Sequence, residues 1–377
     1  MKQGWEIKKL GEIARIINGY AFDSKLFSTD ENDMPLIRIR DIKKGYTETF
    51  YKGKYSDNYI VKNGDYIIGM DGEFNITEWG GGDALLNQRV CKIEFIDDSV
   101  IGRYVLRFLS IELKRIEDAT SFVTVKHLSS KSLLSISVPV PERAEQERIV
   151  GELDCLSGII AAKRAQLREL DTLAQSIFYT MFGDPITNDK GWQTKKLGDV
   201  CDTTSGGTPS KKHAEYYENG TIPWLRSGEI DKTFISSTEL CITEQGVKNS
   251  SAKWFPINTV VIAMYGATVG QVGVLKAAMT TNQAICGIFP NDIFAPVYLY
   301  YFLRSMKTEF IKLSSGGAQP NISQSIIRDT IVSCPPILMQ QQFAEKIEQI
   351  ETQKLLIKQS IINLEQLFNS RMYYYFE

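Results

Sequence analysis

The most constraining feature of this 377-residue chain is an internal repeat. Residues 4–11 read Gly-Trp-Glu-Ile-Lys-Lys-Leu-Gly, and residues 191–198 read Gly-Trp-Gln-Thr-Lys-Lys-Leu-Gly. Four further matches follow in the same order, at offsets between 187 and 195: 35–38 with 223–226, 66–72 with 260–266, 87–88 with 282–283, and 138–141 with 332–335. Chance does not readily produce five ordered matches, so the chain is one unit of about 190 residues present twice.

Each unit opens with a segment that mixes helices and strands. Short runs rich in Ile, Val and Leu, bounded by Gly, Asp or Pro, predict strands. These predicted strands lie at 34–40, 65–70, 86–95 and 134–140. Apolar residues at helical spacing predict a helix over 101–117 and a repeat partner over 294–312.

Each unit ends with a long predicted helix. The first follows Pro141 and stops at Gly183-Asp184-Pro185, residues that suit a helix start and end. Apolar residues recur at alternating spacings of four and three, which is typical of a coiled-coil seam. The seam of the first helix is Ile149, Leu153, Leu156, Ile160, Lys163, Leu167, Leu170, Ala174, Ile177 and Met181. The seam of the second, after Pro335-Pro336, is Phe343, Ile347, Ile350, Lys354, Ile357, Ile361, Leu364 and Phe368. About 40 residues make each helix roughly 60 Å long.

The two helices are best paired with each other, antiparallel, so that the globular segments are set apart with approximate two-fold symmetry. A dimer of chains through the same seams would also bury them, but it would not need the repeat. Each seam contains one lysine, Lys163 or Lys354. Such a residue either fixes the helix register or extends from the seam edge into solvent.

The predicted fold is therefore α+β, with two similar mixed α/β domains separated by two long helices that form an antiparallel coiled coil. The predicted domains are residues 1–140 and 184–334. The predicted helices are residues 141–183 and 335–377.

Composition narrows the possible functions. The formal net charge is −2, so any nucleic-acid-binding surface must be a local patch. The six cysteines form no CxxC pair and there are only two histidines, so the sequence predicts no metal site. No segment approaches the roughly 18 apolar residues of a membrane span, and the first ten residues are polar and charged. We expect a cytoplasmic protein that does not associate with membranes.

The sequence resembles the specificity subunits of type I restriction-modification systems. The resemblance is carried by the Gly-Trp-x-x-Lys-Lys-Leu-Gly heads, by residues 205–210 and 264–273, by the paired Asn-Gln and by residues 181–185. Its most specific part is Pro-Glu-Arg-Ala-Glu-Gln-Glu-Arg-Ile at 141–149. It covers essentially the whole chain. The first repeat departs from it at residues 18–22, which replace the Gly-Gly-Thr-Pro-Ser loop, and the second at residues 339–341.

The resemblance implies a function. The two α/β domains would be target-recognition domains, each reading one half of a split, asymmetric site in double-stranded DNA. The subunit would assemble with two modification (methyltransferase) subunits and, for cleavage, two restriction subunits. S-adenosylmethionine, ATP and magnesium would act on those partners, and this chain would bind no cofactor.

The repeat also separates scaffold residues from candidate DNA contacts, because both copies need one fold but different half-sites need different readers. The divergent candidates of repeat one are Arg40, Lys43, Lys44, Tyr46, Asp71, Glu73, Lys126 and His127. Those of repeat two are Thr208, Ser210, Lys211, Lys212, Tyr265, Gln319 and Asn321. Arg and Lys can read guanine, Asn and Gln adenine, and acidic groups cytosine. For each position the alternative is a solvated loop residue.

Two sets of polar residues recur in both copies. Arg38 and Arg226 are counted among the DNA-binding candidates, although recurrence favours a phosphate contact or a scaffold ion pair over base reading. Asn87-Gln88 and Asn282-Gln283 could pair with adenine edges. An identical pair in both domains would favour like half-sites, so a structural role is preferred.

Enzyme motifs are incomplete. Residues 207–211 lack the glycine that precedes the lysine of a phosphate-binding loop, and Gly266, Gly270 and Gly273 lack dinucleotide-binding spacing. Residues 334–337 contain two prolines but neither the polar head nor the aromatic of an adenine methyltransferase motif. We therefore expect no catalysis by this chain. The remaining alternative is an adaptor whose coiled coil holds two protein-binding heads and no DNA.

Overall fold

The computed structural model describes residues 4–119, 126–314 and 320–377, and the chain divides into two compact units. The first contains residues 1–164 and 359–377, and the second contains residues 165–358. The first unit is thus built from two separate stretches of chain. The domain boundaries predicted at 140, 183 and 334 separate α/β segments from long helices, whereas the two compact units divide within the helices, at 164 and 358. The predicted domain boundaries therefore stay a prediction.

The first unit has eleven strands among its described residues: β1 (Glu6–Lys9), β2 (Ala14–Asn18), β3 (Phe27–Ser28), β4 (Met34–Ile37), β5 (Phe50–Tyr51), β6 (Ile60–Val61), β7 (Tyr66–Gly69), β8 (Ile76–Glu78), β9 (Ala84–Leu86), β10 (Val90–Phe95) and β11 (Ser137–Val140). Its helices are α1 (Leu10–Ile13), α2 (Gly102–Ala119), α3 (Ser130–Leu134), the first part of α4 (Arg143–Phe182) and the end of α10 (Ile337–Phe376). Short 3-10 turns lie at Ser24–Leu26, Ile39–Asp41 and Asp57–Tyr59.

The second unit also has eleven strands among its described residues: β12 (Thr194–Lys196), β13 (Thr203–Ser205), β14 (Ile222–Leu225), β15 (Phe234–Ile235), β16 (Cys241–Ile242), β17 (Trp254–Phe255), β18 (Val260–Ala263), β19 (Val272–Leu275), β20 (Met279–Thr281), β21 (Ile285–Ile288) and β22 (Ile331–Ser333). Its helices are the end of α4, α5 (Leu197–Val200), α6 (Glu244–Lys248), α7 (Pro296–Ser305), α8 (Lys307–Leu313), α9 (Gln324–Arg328) and the first part of α10 (Ile337–Phe376). Its 3-10 turns are Ala214–Tyr216, Ser227–Glu229 and Gly266–Thr268.

Strand pairing repeats between the units. The antiparallel order β2-β10-β7-β8 corresponds to β13-β21-β18-β19, to which the second unit adds β15 as a parallel edge. Each unit also has a second sheet that is centred on a parallel pair of strands. In the first unit β4 pairs with β9, and β6 lies antiparallel to β9. In the second unit β14 pairs with β20, and β17 lies antiparallel to β20. A two-stranded pair, β1 with β11 or β12 with β22, joins the start of each domain to its end. The predicted α+β repeat is confirmed.

Three predicted strands and one predicted helix are wrong in extent. The strand at 34–40 ends at Ile37, because the Asp41 carboxylate accepts the Arg38 backbone N–H and starts a 3-10 turn. The run at 86–95 is two strands in two sheets, separated by a turn in which Val90 N donates to Asn87 O at 2.9 Å. The strand at 134–140 begins only at Ser137, after α3. The helix over 294–312 breaks at Met306 into α7 and α8.

The long helices pack in antiparallel orientation within each unit, as predicted. In the first unit, the start of α4 meets the end of α10, where Arg371 Nε lies 2.5 Å from Glu152 Oε1. In the second unit, the end of α4 meets the start of α10, where the rings of Phe182 and Phe343 lie 5.3 Å apart, centroid to centroid. These contacts bury the apolar face of each helix.

The seam positions lie mostly on buried faces. Ile149, Leu153, Phe343 and Ile347 are fully buried. The later positions are mostly buried or half-buried. Near the end of α4, Phe178 and Phe182 are more buried than the predicted Ile177 and Met181, because their rings pack into the core of the second unit against Tyr298 and Phe343.

The two seam lysines differ. Lys354 is 9% exposed, and its ammonium lies 2.7 Å from both Asp171 on α4 and Glu351. Desolvation lowers the pKa of Lys354, but the hydrogen bonds to Asp171 and Glu351 outweigh it, so the net pKa is raised. Lys163 is half-buried. Lys354 therefore makes an interhelical ion pair in the second unit, which supports a role in register for this lysine.

A buried glutamine fixes the start of each long helix to its domain. The Gln146 side chain accepts a hydrogen bond from Ile101 N and donates to Ser99 O and Pro141 O, at 2.8–3.0 Å. Gln340 makes the same three bonds with Ala295 N, Ile293 O and Pro335 O, at 2.8–3.0 Å. Both glutamines are fully buried. A buried backbone group without a partner is costly. The need to satisfy these three backbone groups therefore explains why a glutamine stands at both 146 and 340.

Candidate nucleic-acid interface

The loop after β7 is held by a short network of backbone hydrogen bonds, here called the bridge frame. Its centre is an isolated antiparallel bridge between Asp71 and His127. Gly72 follows with φ +71°, a left-handed conformation that favours glycine. The frame bonds run from Met70 N to Arg89 O (2.9 Å), from Leu128 N to Met70 O (2.8 Å) and from Gly72 N to Lys126 O (3.0 Å).

The second unit has the same bridge frame after β18. Its centre is the antiparallel bridge between Tyr265 and Asn321, followed by Gly266 with φ +68°. Its bonds run from Met264 N to Ala284 O (2.8 Å), from Ile322 N to Met264 O (2.9 Å) and from Gly266 N to Pro320 O (2.9 Å). The two frames share one backbone arrangement but display different side chains, as the repeat-based prediction requires.

In the first unit the frame brings two predicted residues together and adds a third. Asp71 lies between two partners, with Oδ1 2.6 Å from His127 Nδ1 and Oδ2 2.6 Å from Arg89 Nη1. The Asp71 side chain is 20% exposed, whereas those of Arg89 and His127 are 56% and 57% exposed. The carboxylate is thus an anchor for two outward-facing nitrogen groups.

A second group of predicted residues lies beside this frame. Lys43 forms an ion pair with Glu73, which follows the frame glycine. The hydrogen bond from Lys43, and then one from Asn75, holds the pKa of Glu73 below its ordinary value. Lys44 lies over the ring of the half-exposed Tyr46, 5.5 Å from its centroid. The Lys43–Glu73 pair joins the loop after β4 to the loop after β7.

The other predicted residues of the first unit have local partners. Arg40 donates from Nη2 to Thr49 Oγ1 at 3.3 Å and stays exposed. The side chain of Lys126 reaches Glu117 of α2 at 3.7 Å, while its carbonyl belongs to the frame. The side chains of Arg40 and Lys126 therefore pair with other residues and not with Asp71, Arg89 or His127.

Arg38 and Arg226 have the same backbone role. Each donates its backbone N–H to an acidic side chain three residues on, Asp41 at 2.9 Å or Glu229 at 3.3 Å, which opens a 3-10 turn. The Arg226 guanidinium also pairs with Glu229 at 3.0 Å and with Glu239. For Arg226 this supports the scaffold ion pair that the recurrence favoured.

In the second unit, the predicted loop residues are spread over two places. Tyr265 (41% exposed) and the exposed Asn321 form the central bridge of the frame. Thr208 contacts Gln283 on the neighbouring turn. Ser210, Lys211 and Lys212 are exposed, and neither lysine has a carboxylate within 4.0 Å in the part of the chain that the structure describes. Gln319 lies outside the described residues.

The paired Asn-Gln segments form equivalent turns after β9 and β20. Asn87 N donates to Ile37 O at 3.3 Å, and Asn282 N donates to Leu225 O at 2.9 Å. The Oδ1 atom of Asn282 is buried without a hydrogen-bond partner among the described residues. The shared backbone pattern supports the structural role that recurrence favoured.

Sequence reasoning missed Arg89. It directly follows the shared Asn87-Gln88, and its repeat counterpart is Ala284. The shared Asn87-Gln88 pair indicates a scaffold segment, and this signal hides the divergence of the residue that follows it. Applied residue by residue, the same comparison of repeats would have identified it.

The six cysteines form no disulfide; three of them are buried and one, Cys155, is exposed. Cys91 and Cys286 occupy equivalent buried strand positions, and burial raises the pKa of each thiol to about 12.

Within the described ranges, no three His, Cys, Asp or Glu side chains cluster so that they could hold a metal ion. None of the described helices combines the length and apolar character needed to cross a membrane.

The chain is similar to known proteins over nearly its full length. The profile of the type I restriction modification DNA specificity domain matches residues 2–171 and 189–366. The EcoBI specificity subunit of Escherichia coli is 30% identical, over 92% of this chain and 79% of its own length. The MjaIX specificity subunit of Methanocaldococcus jannaschii is 22% identical, over 91% of this chain and 86% of its own.

Solved structures agree on the fold. The type I restriction-modification S subunit from M. genitalium superposes with a TM-score of 0.59 at 13% identity, covering 98% of this chain and 95% of its own. A structure from work on complex assembly and conformational transition of the type I system gives 0.59 at 17% identity, covering 100% and 98%. The two-fold match of the profile, once per repeat, shows that the chain belongs to the type I restriction modification DNA specificity family, as a specificity subunit with two target-recognition domains.

Proposed function

We propose that each unit reads one half of a split, asymmetric site in double-stranded DNA and that the chain catalyses no reaction itself. The observation that carries this is the bridge frame, in which one backbone presents Asp71 and His127 in one unit and Tyr265 and Asn321 in the other. A reader of two different half-sites needs this combination, because direct readout depends on the side-chain donors and acceptors presented to the base edges.

The surrounding candidates divide by chemistry. Lys211 and Lys212, exposed and without carboxylate partners in the described part of the chain, suit phosphate contacts, which position a protein without reading sequence. In the first unit, Arg40, Lys43 and Lys44 lie along the loop after β4, and each is paired with a carboxylate, Asp41, Glu73 or Glu48. These cations would contact phosphates by exchanging exposed ion pairs, which cost little to break.

The proposed partners are two modification subunits and two restriction subunits, with S-adenosylmethionine, ATP and magnesium bound by those subunits. Supporting this, relatives of the chain are specificity subunits of type I restriction enzymes. In the second unit, Leu355 and Leu356 on α10 are about two-thirds exposed, which suits contact with a partner. The expected location, the cytoplasm, follows from this role.

Mapping of methylated adenines tests the proposal. The chain, co-expressed with its modification subunits in a host without other adenine methylation, should direct methylation to one bipartite sequence. Exchange of residues 1–140 for those of another specificity subunit should change one half of that sequence and leave the other half intact. A change in both halves, or in neither, would contradict the division of labour between the units.

The adaptor alternative, with two protein-binding heads and no DNA, receives no support from the family match. Native mass spectrometry of the chain with its modification subunits, with and without duplex DNA, separates the two functions. An adaptor would form the same assembly in both conditions, whereas a specificity subunit should add one duplex per assembly.

A further inference from the structure

The bridge frame holds a set of polar groups in the first unit that has no counterpart in the second. Arg89, Asp71 and His127 occupy the frame positions that Ala284, Tyr265 and Asn321 occupy in the second unit. The equivalence does not depend on sequence matching, because the same backbone bonds, Met70 N to Arg89 O and Met264 N to Ala284 O, define it.

We propose that Arg89 is a specificity-determining residue that reads a guanine in the half-site of the first unit, and that Asp71 positions its guanidinium. This inference rests on the proposed function and deepens it, since it assigns a base to one side chain. Arginine binds guanine O6 and N7 with two parallel N–H donors, the commonest specific contact of protein with the major groove.

The geometry separates the two roles. Asp71 is mostly buried, and its Oδ2 lies 2.6 Å from Arg89 Nη1. The Arg89 side chain is 56% exposed, and it has no second carboxylate within 4.0 Å among the described residues. The exposed part of the guanidinium can therefore meet a ligand, while the ion pair restricts the rotamers that a long side chain would otherwise sample.

Asp71 is itself fixed from the other side by His127 at 2.6 Å. A carboxylate held at both oxygens cannot turn away to pair with a cytosine amine, so Asp71 acts through Arg89 rather than on the base. In the second unit Ala284 offers no donor at this position. The guanine contact should therefore occur in one half-site only, which makes the bipartite site asymmetric.

The test uses the chain assembled with its modification subunits. Methylation rates are measured on duplexes that carry each of the four base pairs at each position of the half-site assigned to residues 1–140. Arg89→Ala should lower discrimination by roughly 10- to 100-fold at one guanine and leave the other half-site and the spacer unchanged. Arg89→Lys keeps the charge but loses the two-pronged geometry, and it should relax the same guanine. Asp71→Asn should relax that same position less strongly, without a change in thermal stability.

Arg115→Ala is the matched control, because this arginine of the same unit has a 52% exposed side chain paired with Glu112 and Glu377. It should leave every base preference unchanged. The inference is overturned if the wild-type half-site contains no guanine, if Arg89→Ala keeps all base preferences, or if the variant lowers methylation equally on all duplexes. A wild-type assembly that methylates no bipartite sequence would instead refute the proposed function.

Discussion

Replacing Gln340 by alanine should destabilise the second unit more than any exposed change on the same helix. The substitution removes three hydrogen bonds at once and leaves Ala295 N and Pro335 O without partners at buried positions and Ile293 O at a half-buried one. Each buried backbone group without a partner costs roughly 1–3 kcal/mol. Water entering the vacated space recovers part of this cost, so we expect a net loss of about 3 kcal/mol. For a unit of this size that lowers the unfolding midpoint by roughly 6–12 °C.

Gln341 provides the matched control, because it is the same residue type, adjacent on α10 and exposed. Gln341→Ala should change stability by no more than about 0.5 kcal/mol. Urea unfolding of both variants gives the free energies, and hydrogen exchange at Ala295 reports the site directly, since its amide loses its acceptor only in Gln340→Ala. Equal losses for the two variants, or an Ala295 amide that exchanges as slowly as in the wild type, would refute the reasoning.

Three further outcomes are expected. The hydrogen bond from Lys8 at 2.8 Å, and then those from Ser99, lower the pKa of Asp97 to about 2. The ionised Asp97 therefore stabilises the fold above its ordinary pKa near 4, and this stabilisation is lost as the pH falls towards 2. The difference in unfolding free energy between wild type and Asp97→Asn, followed by acid titration, should vanish near pH 2, and a difference that persists there would contradict the prediction. Lys354→Met combined with Glu351→Gln and Asp171→Asn removes the lysine together with both carboxylates that pair with it, and this variant should unfold within about 1 kcal/mol of wild type, whereas Lys354→Ala alone should cost about 2 kcal/mol or more in urea. Equal costs would contradict this reasoning. Replacing both Lys211 and Lys212 by alanine should weaken binding to all DNA sequences alike and flatten the salt dependence measured by fluorescence anisotropy; an altered base preference would instead assign them to sequence reading.

The sequence was most informative where the signal was local and periodic. The long helices followed from the four-three spacing, which a helix converts directly into one buried face. The repeat then implied that one fold occurs twice, and the matched strand registers agree. Ile177 and Met181 were less accurate choices than Phe178 and Phe182, because the domain core draws these aromatic rings inward and periodicity contains no information about that core.

The failures lie where tertiary contacts decide. The segment 86–95 is one predicted strand, but its first residue pairs with β4 and residues 90–95 pair with β2 and β7. The three polar residues between them form a turn that moves the chain from one sheet to the other, and the sequence alone does not show which strands each part pairs with. The four-three spacing places Gln146, one step before Ile149, on the seam side of α4, but it does not predict the hydrogen bonds of Gln146 to Ile101, Ser99 and Pro141. Asp71 and His127, which contact each other, lie 56 positions apart in the chain. The difference between the repeats at each position indicates each residue as a candidate DNA contact, but it does not indicate that the two residues meet.

The discontinuous first unit has a consequence for biosynthesis. Its core includes Met372, Tyr375 and Phe376, which are at most 6% exposed, and these residues leave the ribosome after the whole of the second unit. The contiguous second unit can therefore fold first, reversing the usual order in which earlier-made domains are completed earlier. Until the end of α10 is made, Tyr104 and Phe108 of α2 lack the ring of Phe376 that packs against both of them, and we expect chaperones to engage the nascent chain during this interval.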